Sequence, residues 1–266
     1  MQLTFCPLFS GSSGNSAYVE CGNTRLLIDA GLTGKAVVEA LSQIQVLPET
    51  LNGILITHEH SDHVKAAGIL SRKYRIPIYA NEGTWEGMHK LVGDVWPGQR
   101  RVFNTNEDFF IGDVDISPFA IPHDARDPVG YRVFAGGHSV ATATDMGYLT
   151  KDVLKRISGS DVVLLESNHD PDMLLQNPRY SQTLKRRILG RQGHLSNEAC
   201  AEGILQLYET GVRNVVLGHL SAENNTPELA LSTAVKYAEE KGILVGQELC
   251  IDMAWRDRVG GVYTVG

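Results

Sequence analysis

One short segment, THEHSDH at residues 57–63, limits what this chain can be more than any other part of its sequence. It contains three of the nine histidines and two acids, and it directly follows the apolar, strand-like run NGILI. His58 and His60 lie two residues apart in an extended turn, so both imidazoles can point to the same side. Asp62 and His63 then begin a helix, where side chains leave in a new direction. The segment predicts two neighbouring pockets for divalent metals, roughly 3.5–4 Å apart.

A solvent-exposed helix start that happens to be rich in histidine is the alternative interpretation of this segment. The interleaving of histidines with acids over so short a stretch disfavours it. His/Asp ligands without cysteine fit zinc, and oxygen-rich sites of this kind also accept manganese. We therefore expect two divalent metal ions, Zn²⁺ or Mn²⁺, as cofactors.

The rest of the chain alternates strand-like and helix-like patterns. Strand patterns predominate at residues 2–31 and 76–144, and helical spacing is found around 34–44, 61–74, 197–209 and 227–241. After about residue 150 strands and helices alternate. This mixture predicts an α/β fold, a layered sandwich with a mostly buried sheet. No linker or low-complexity tract divides residues 1–266, which indicates a single domain.

Composition narrows the class of protein further. The chain has 31 acidic and 24 basic side chains, a formal charge of −7, and so lacks the overall footprint of a nucleic-acid-binding protein. Bound cations can neutralise a carboxylate cluster, so nucleic acid is not excluded as a partner. Four scattered cysteines without CxxC spacing indicate reduced thiols. With no signal peptide and no apolar run of about 20 residues, we expect a cytoplasmic protein that does not span a membrane.

The motif HxHxDH after a strand resembles that of the metallo-β-lactamase fold superfamily, and the resemblance extends over the whole chain. It implies a four-layer αββα sandwich. In that superfamily an aspartate like Asp29 of LLIDAG orients the metal-binding loop. Taken alone, each further motif residue has an even chance of being only a capping aspartate or a turn histidine. The resemblance implies seven metal ligands: His58, His60, Asp62, His63, His123, Asp145 and His219.

The four letters GHLS occur twice, at residues 193–196 and 218–221. The second copy holds the metal ligand His219. In the tRNA-processing nuclease branch of the superfamily, a histidine placed like His194 pairs with a glutamate, which here is Glu166. A histidine held by a carboxylate suits proton donation to a leaving alkoxide. His194 is thus predicted to be the general acid, although a ring that merely packs beside a helix start is the alternative.

Two segments favour a phosphodiester substrate. Arg187 belongs to the basic run LKRRILGR before His194, which can bind phosphates or can simply be a solvated helix face. The loop SGSSGNS, with Ser13 and Asn15, resembles a phosphate cradle but also fits a plain hairpin turn. We predict Ser13, Asn15 and Arg187 as substrate-binding residues. His169 can face the site or bond its own loop, and the sequence leaves both readings open.

The series SGSSGNS, LIDAG, THEHSDH, IPHDA, ATDMG, LESNHD, GHLSN and GHLS closely resembles the bacterial YycJ/WalJ (VicX) family. That resemblance implies a metal-dependent hydrolase with 5′→3′ exonuclease activity on double-stranded DNA. Asp62 would then both bind metal and orient the nucleophile, with His194 and Glu166 completing the catalytic set. A hydrolase of small phosphodiesters or thioesters, and a non-catalytic binding protein, are the alternatives. Oligomeric state, DNA or RNA preference and directionality stay open.

Overall fold

Fourteen strands form two seven-stranded sheets in the computed structural model, which describes residues 1–266. The first sheet contains, in spatial order, β14 (Tyr263–Val265), β1 (Leu3–Phe9), β2 (Ser16–Cys21), β3 (Thr24–Ile28), β4 (Gly53–Leu55), β5 (Ile78–Ala80) and β6 (Arg100–Val102). The second contains β13 (Cys250–Met253), β12 (Asn214–Gly218), β11 (Val162–Glu166), β10 (His138–Ala143), β9 (Val129–Ala135), β8 (Val114–Ala120) and β7 (Phe109–Ile111).

The structure contains nine α-helices. They are α1 (Gly34–Gln43), α2 (Ser61–Val64), α3 (Ala67–Tyr74), α4 (Glu82–Val92), α5 (Lys151–Ile157), α6 (Pro171–Gln176), α7 (Gln182–Ile188), α8 (Asn197–Glu209) and α9 (Pro227–Glu240). One buried apolar cluster lies between the sheets, and two others lie between each sheet and its own helices. These three cores define four layers, so the predicted αββα sandwich is confirmed.

Each sheet changes from antiparallel to parallel pairing along its width. Strands β1, β2 and β3 pair antiparallel, whereas β3, β4, β5 and β6 pair parallel. In the second sheet, β7 to β10 are antiparallel and β10 to β13 are parallel. Parallel strands end at a common edge, where ligand sites of α/β proteins lie. Five predicted site residues stand at or just after such ends, namely Asp29, His58, Asp145, Glu166 and His219.

Several helices differ from the sequence prediction. The segment from Ser61 to Tyr74 is two helices, because the amide of Ala66 donates to the carbonyl of Ala30 (2.7 Å) instead of continuing the helical ladder. Helices α4 to α7 were not predicted. Two glycines weaken the helical signal of α4. Burial of Trp85 and Met88 against the first sheet stabilises that helix nonetheless. Tertiary packing, rather than local propensity, therefore decides these elements.

Tyr131 links the second sheet to the loop that follows β4. Its side chain is fully buried, and its hydroxyl donates to the carbonyl of Ile56 at 2.6 Å. We expect Tyr131→Phe to lower the free energy of unfolding by about 1–3 kcal/mol, because it leaves that carbonyl buried without a donor. Urea unfolding in the presence of a chelator measures this. Tyr79→Phe is the matched control, since its half-buried hydroxyl has no partner within the protein; equal losses in both variants would contradict the assignment.

Candidate active site

Three histidines from two loops form the first pocket of the site. His58 follows β4, and its Nε2 lies 3.1 Å from Nδ1 of His60, at the start of α2. His123, from the loop after β8, places Nε2 at 3.3 Å from the same His60 nitrogen. One ligand atom from each residue lies within 4.8 Å of the others. The structure therefore brings these three predicted ligands together, with His58 and His123 buried.

A second pocket lies beside the first and contains Asp62, His63 and His219. Nε2 of His63 is 3.5 Å from Oδ2 of Asp62, and the rings of His63 and His219 are stacked with centroids 5.9 Å apart. His63 and His219 are buried, and Asp62 is partly open to solvent. This set is the predicted partner of the three-histidine pocket.

Asp145 lies between the two pockets and turns a different oxygen to each. Its Oδ1 is 3.9 Å from Nε2 of His123, and its Oδ2 is 3.4 Å from Nε2 of His63. The same Oδ2 lies 3.0 Å from Nδ1 of His219, yet neither atom makes a hydrogen bond of good geometry, and both are buried. Buried polar atoms without partners are costly, so lone pairs directed at a shared point fit a cation there.

The charges in the centre also call for a cation. Burial alone would lower the pKa of His63, but the carboxylates of Asp29, Asp145 and Asp62 raise it well above its usual value. For His58, burial and the neighbouring His63 lower the pKa well below its usual value, which leaves a neutral imidazole that can bind metal. A divalent cation held by these residues would supply the positive charge that the buried carboxylates require. The His/Asp donor set therefore fits divalent metal binding.

Asp29 holds the metal-binding loop in place. Its carboxylate accepts hydrogen bonds from the amide and the hydroxyl of Thr57, both at 2.9 Å, and from Nδ1 of His63 at 2.8 Å. The last bond fixes the ring so that Nε2 of His63 is directed towards Asp62 and Asp145. Asp29, Asp145 and His219 all have left-handed backbones, with φ of 62°, 60° and 54°. Such conformations are costly for these residues and cluster at functional sites.

His194 and Glu166 form a pair at the open side of the centre. Nδ1 of His194 lies 2.8 Å from Oε1 of the fully buried Glu166, whose Oε2 accepts from the amides of Met146 and Leu195. Burial would lower the pKa of His194, but Glu166 outweighs it and raises the pKa to about 9. The ring centroids of His194 and His219 are 5.3 Å apart. The two GHLS segments thus converge on one site from different sides.

The predicted substrate-binding residues occupy different positions around this centre. Ser13 is exposed. Arg187 is mostly exposed and donates from Nε to Asp124 at 2.5 Å. Asn15, in contrast, is buried, and its amide bonds to Gly11, Asp62 and His63. Because these contacts occupy both ends of the Asn15 amide, we interpret it as a residue that holds the metal loop, which differs from the predicted phosphate contact.

Several residues that support the site were not predicted from the sequence. The hydroxyl of Ser10 accepts from the amide of His219 at 2.8 Å, and Asn168 donates to the His219 carbonyl at 2.8 Å. Asp124 lies 3.4 Å from Nε2 of His123 through its Oδ1. All of them lie close to motif residues along the chain, and this proximity is the sequence feature that could have identified them. His169 is buried with no partner on either ring nitrogen, and burial lowers its pKa to about 4.

Comparison with known proteins places this geometry in a family. The sequence profile of the Beta-lactamase superfamily domain matches residues 24–220. The chain is 40% identical over 247 residues to Exodeoxyribonuclease YycJ of Bacillus anthracis, covering 93% of each chain. It is 42% identical over 241 residues to Exodeoxyribonuclease WalJ of Streptococcus pneumoniae serotype 2, covering 90% of this chain and 89% of that one. The metallo-β-lactamase fold protein YhfI from Bacillus subtilis superimposes with a TM-score of 0.75 over 100% of both chains, at 18% identity.

The fold and the site together define a metal-dependent hydrolase of the metallo-β-lactamase superfamily. Within that superfamily, the chain belongs to the YycJ/WalJ family. The family predicted from the sequence motifs is therefore confirmed. No helix of the structure is both long enough and apolar enough to cross a membrane.

The role of Asp29 can be tested through metal affinity. We expect Asp29→Ala to weaken the binding of Zn²⁺ and Mn²⁺ by about 10–100-fold, because the ring of His63 and the loop at Thr57 lose their anchor. Competition with a fluorescent chelator measures the dissociation constants. Asp113→Ala is the control, since Asp113 also accepts from a backbone amide and a threonine hydroxyl but lies away from the site. Wild-type affinity in Asp29→Ala would refute the anchoring role.

Proposed function

We propose that this chain is a metal-dependent phosphodiester hydrolase that removes nucleotides from the 5′ end of double-stranded DNA. The observation that carries the proposal is the Glu166–His194 pair, in which Nδ1 of His194 lies 2.8 Å from Glu166 and 3.9 Å from Oδ1 of Asp145. The similarity to two relatives named exodeoxyribonucleases over about nine-tenths of the chain supports DNA as the substrate. Four free cysteines support a reducing compartment, the cytoplasm.

Seven residues would hold two divalent cations, zinc or manganese: His58, His60, His123, Asp62, His63, His219 and, between the pockets, Asp145. When bound, such cations lower the pKa of water towards about 7 and neutralise charge on a phosphate. Asp62, the most exposed of the three carboxylates in the centre, orients the attacking water. His194 is fixed by Glu166 through Nδ1, and its other ring nitrogen gives a proton to the departing oxygen.

A basic cavity leads away from His194 and suits a phosphate backbone. Its volume is about 670 Å³, and Arg186, Arg187 and Arg191 line it together with Tyr148. The guanidinium of Arg191 lies over the ring of Tyr148, 4.5 Å from its centroid. Arginine beside an aromatic ring is typical of surfaces that bind nucleic acid strands. Through Asp124 and Arg187 this cavity adjoins a smaller one, of about 140 Å³, which is lined by His194.

The activity can be tested with a 5′-phosphorylated DNA duplex labelled at either end, incubated with Mn²⁺ or Zn²⁺. We expect wild-type protein to shorten the labelled strand stepwise from its 5′ end and Asp62→Ala to leave the duplex intact. Gel electrophoresis of time points measures this. Bis-p-nitrophenyl phosphate is a second substrate in the same series. Cleavage of the ester with survival of the duplex would replace DNA with a small phosphodiester as the substrate.

The general-acid role of His194 predicts a separate kinetic effect. We expect His194→Ala to lower kcat on DNA by about 10²–10⁴-fold, because the leaving oxygen loses its proton donor. Metal content, measured by atomic spectrometry, should stay at the wild-type value. His138→Ala is the matched control, because His138 also pairs with a carboxylate, Asp161 at 3.1 Å, but at the opposite end of β10. A kcat within twofold of wild type would rule out this role.

A further inference from the structure

A third cavity adjoins the small cavity at His194, because Ser221 lines both. Its volume is about 510 Å³, within the range of roughly 300–1,000 Å³ that is usual for small-molecule sites. Its lining includes Ser13, Ser221, Trp255, Arg256 and Arg258. We call it the Trp255 cavity. None of the catalytic or metal-binding residues described above lines it, so the proposed metal chemistry does not account for it.

Two arginines in the Trp255 cavity have no anionic partner within the protein. Arg256 and Arg258 form no ion pair, and Nε of Arg256 is buried without any hydrogen-bond acceptor. Asp257 also lines the cavity but pairs with neither arginine. Guanidinium groups bind phosphate through paired N–H donors. An unpaired, partly buried guanidinium in the lining of a cavity therefore indicates an anionic ligand that comes from outside the chain.

The position of Arg256 is tied to the SGSSGNS loop. A Cβ at Gly11 would lie 2.6 Å from Cγ of Arg256, so the arginine stem packs directly on the glycine backbone. The loop that holds Asn15 against the metal ligands thus also sets the place of this guanidinium. Beside it, Arg258 lies over the ring of Trp255, 3.7 Å from its centroid. An indole ring next to two arginines combines a stacking surface with phosphate ligands.

The Trp255 cavity belongs to a row of three cavities with His194 in the middle. Ser221 lines both the Trp255 cavity and the small cavity at His194. On its other side, that small cavity shares Arg187 with the basic cavity of Arg191 and Tyr148. An arginine stacked on an aromatic ring is thus found at each end of the row, with the proton donor between them.

We propose that the Trp255 cavity binds a nucleotide of the substrate strand on the opposite side of the reacting phosphate from Arg187. Trp255 stacks on the base, and Arg256 and Arg258 bind the neighbouring phosphate. This inference rests on the proposed function for the nature of the polymer. The substrate strand would then cross the metal centre between two binding sites. These sites would hold the nucleotides on both sides of the reacting phosphate.

The test compares Trp255→Ala and Arg258→Ala with wild type on the 5′-phosphorylated duplex and on bis-p-nitrophenyl phosphate, in metal-loaded protein. The ester has neither a nucleobase to stack on Trp255 nor a second phosphate for Arg256 and Arg258. We expect the ratio of kcat/KM for DNA to kcat/KM for the ester to fall at least tenfold in Trp255→Ala, because the variant loses the surface on which the base stacks. In Arg258→Ala, the slope of log KM against log salt should decrease by about 0.9, which is the contribution of one phosphate contact.

Arg101→Ala is the matched control, because Arg101 is exposed on β6 and lines none of the three cavities. An unchanged ratio and salt slope in both variants, with wild-type DNA cleavage present, would overturn the subsite and leave the nuclease proposal standing. If the wild-type protein does not cleave DNA, titration with a deoxynucleoside 5′-monophosphate tests whether the Trp255 cavity binds a nucleotide. Quenching of tryptophan fluorescence that is lost in Trp255→Phe supports a nucleotide site, and no quenching overturns it.

Discussion

The whole site depends on one unfavourable condition, the burial of carboxylates that the protein itself does not neutralise. Asp145 is buried between two groups of histidines, and its Oδ2 has no hydrogen-bond donor. Buried ions are tolerated only when they are paired or bind a metal. The histidines around Asp145 can balance its negative charge only by binding protons. In agreement with this, the neighbouring carboxylates raise the pKa of His63 well above its usual value. Bound divalent cations would remove this conflict, and the contacts of Asp29 with Thr57 and His63 hold ligands in place for them.

That organisation could be predicted from the sequence only in part. The segment from His58 to His63 contains most of a metal centre in six residues, and the remaining ligands follow strand patterns that the sequence shows clearly. Strand ends converge in a parallel sheet, so the topology brings these residues together once the fold is known. The contacts of Asn15 and Ser10 with the metal loop depend on backbone positions in three dimensions, and no local pattern reports them. For the same reason helices α4 to α7 escaped prediction, since packing outweighs their weak intrinsic propensity.

The two GHLS segments have the same four residues, but their histidines are held in place in different ways. His219 has a left-handed backbone with φ of 54°, and the hydroxyl of Ser10 and the amide of Asn168 bind its amide and carbonyl. The amide of His194 also donates, to the carbonyl of Ile188, but its ring is in addition fixed by Glu166. Nδ1 of His219 has no hydrogen-bond partner, so its backbone sets its position. The arrangement of His219 suits a metal ligand, whose atom must not move, and that of His194 suits a group that exchanges a proton.

For the proposed activity on DNA, a chain with a formal charge of −7 would have to bring a polyanion to its centre. Two divalent cations would offset four of those charges, and they would do so at the point where the reacting phosphate lies. The arginines that remain available are placed along the row of cavities, at Arg186 and Arg191 on one side and at Arg256 and Arg258 on the other. Charges farther away than a Debye length, about 8 Å at physiological salt, contribute little to binding. The local arrangement of arginines, and not the net charge, therefore determines whether a nucleic acid strand can bind, and a small ester that touches neither group gains nothing from them.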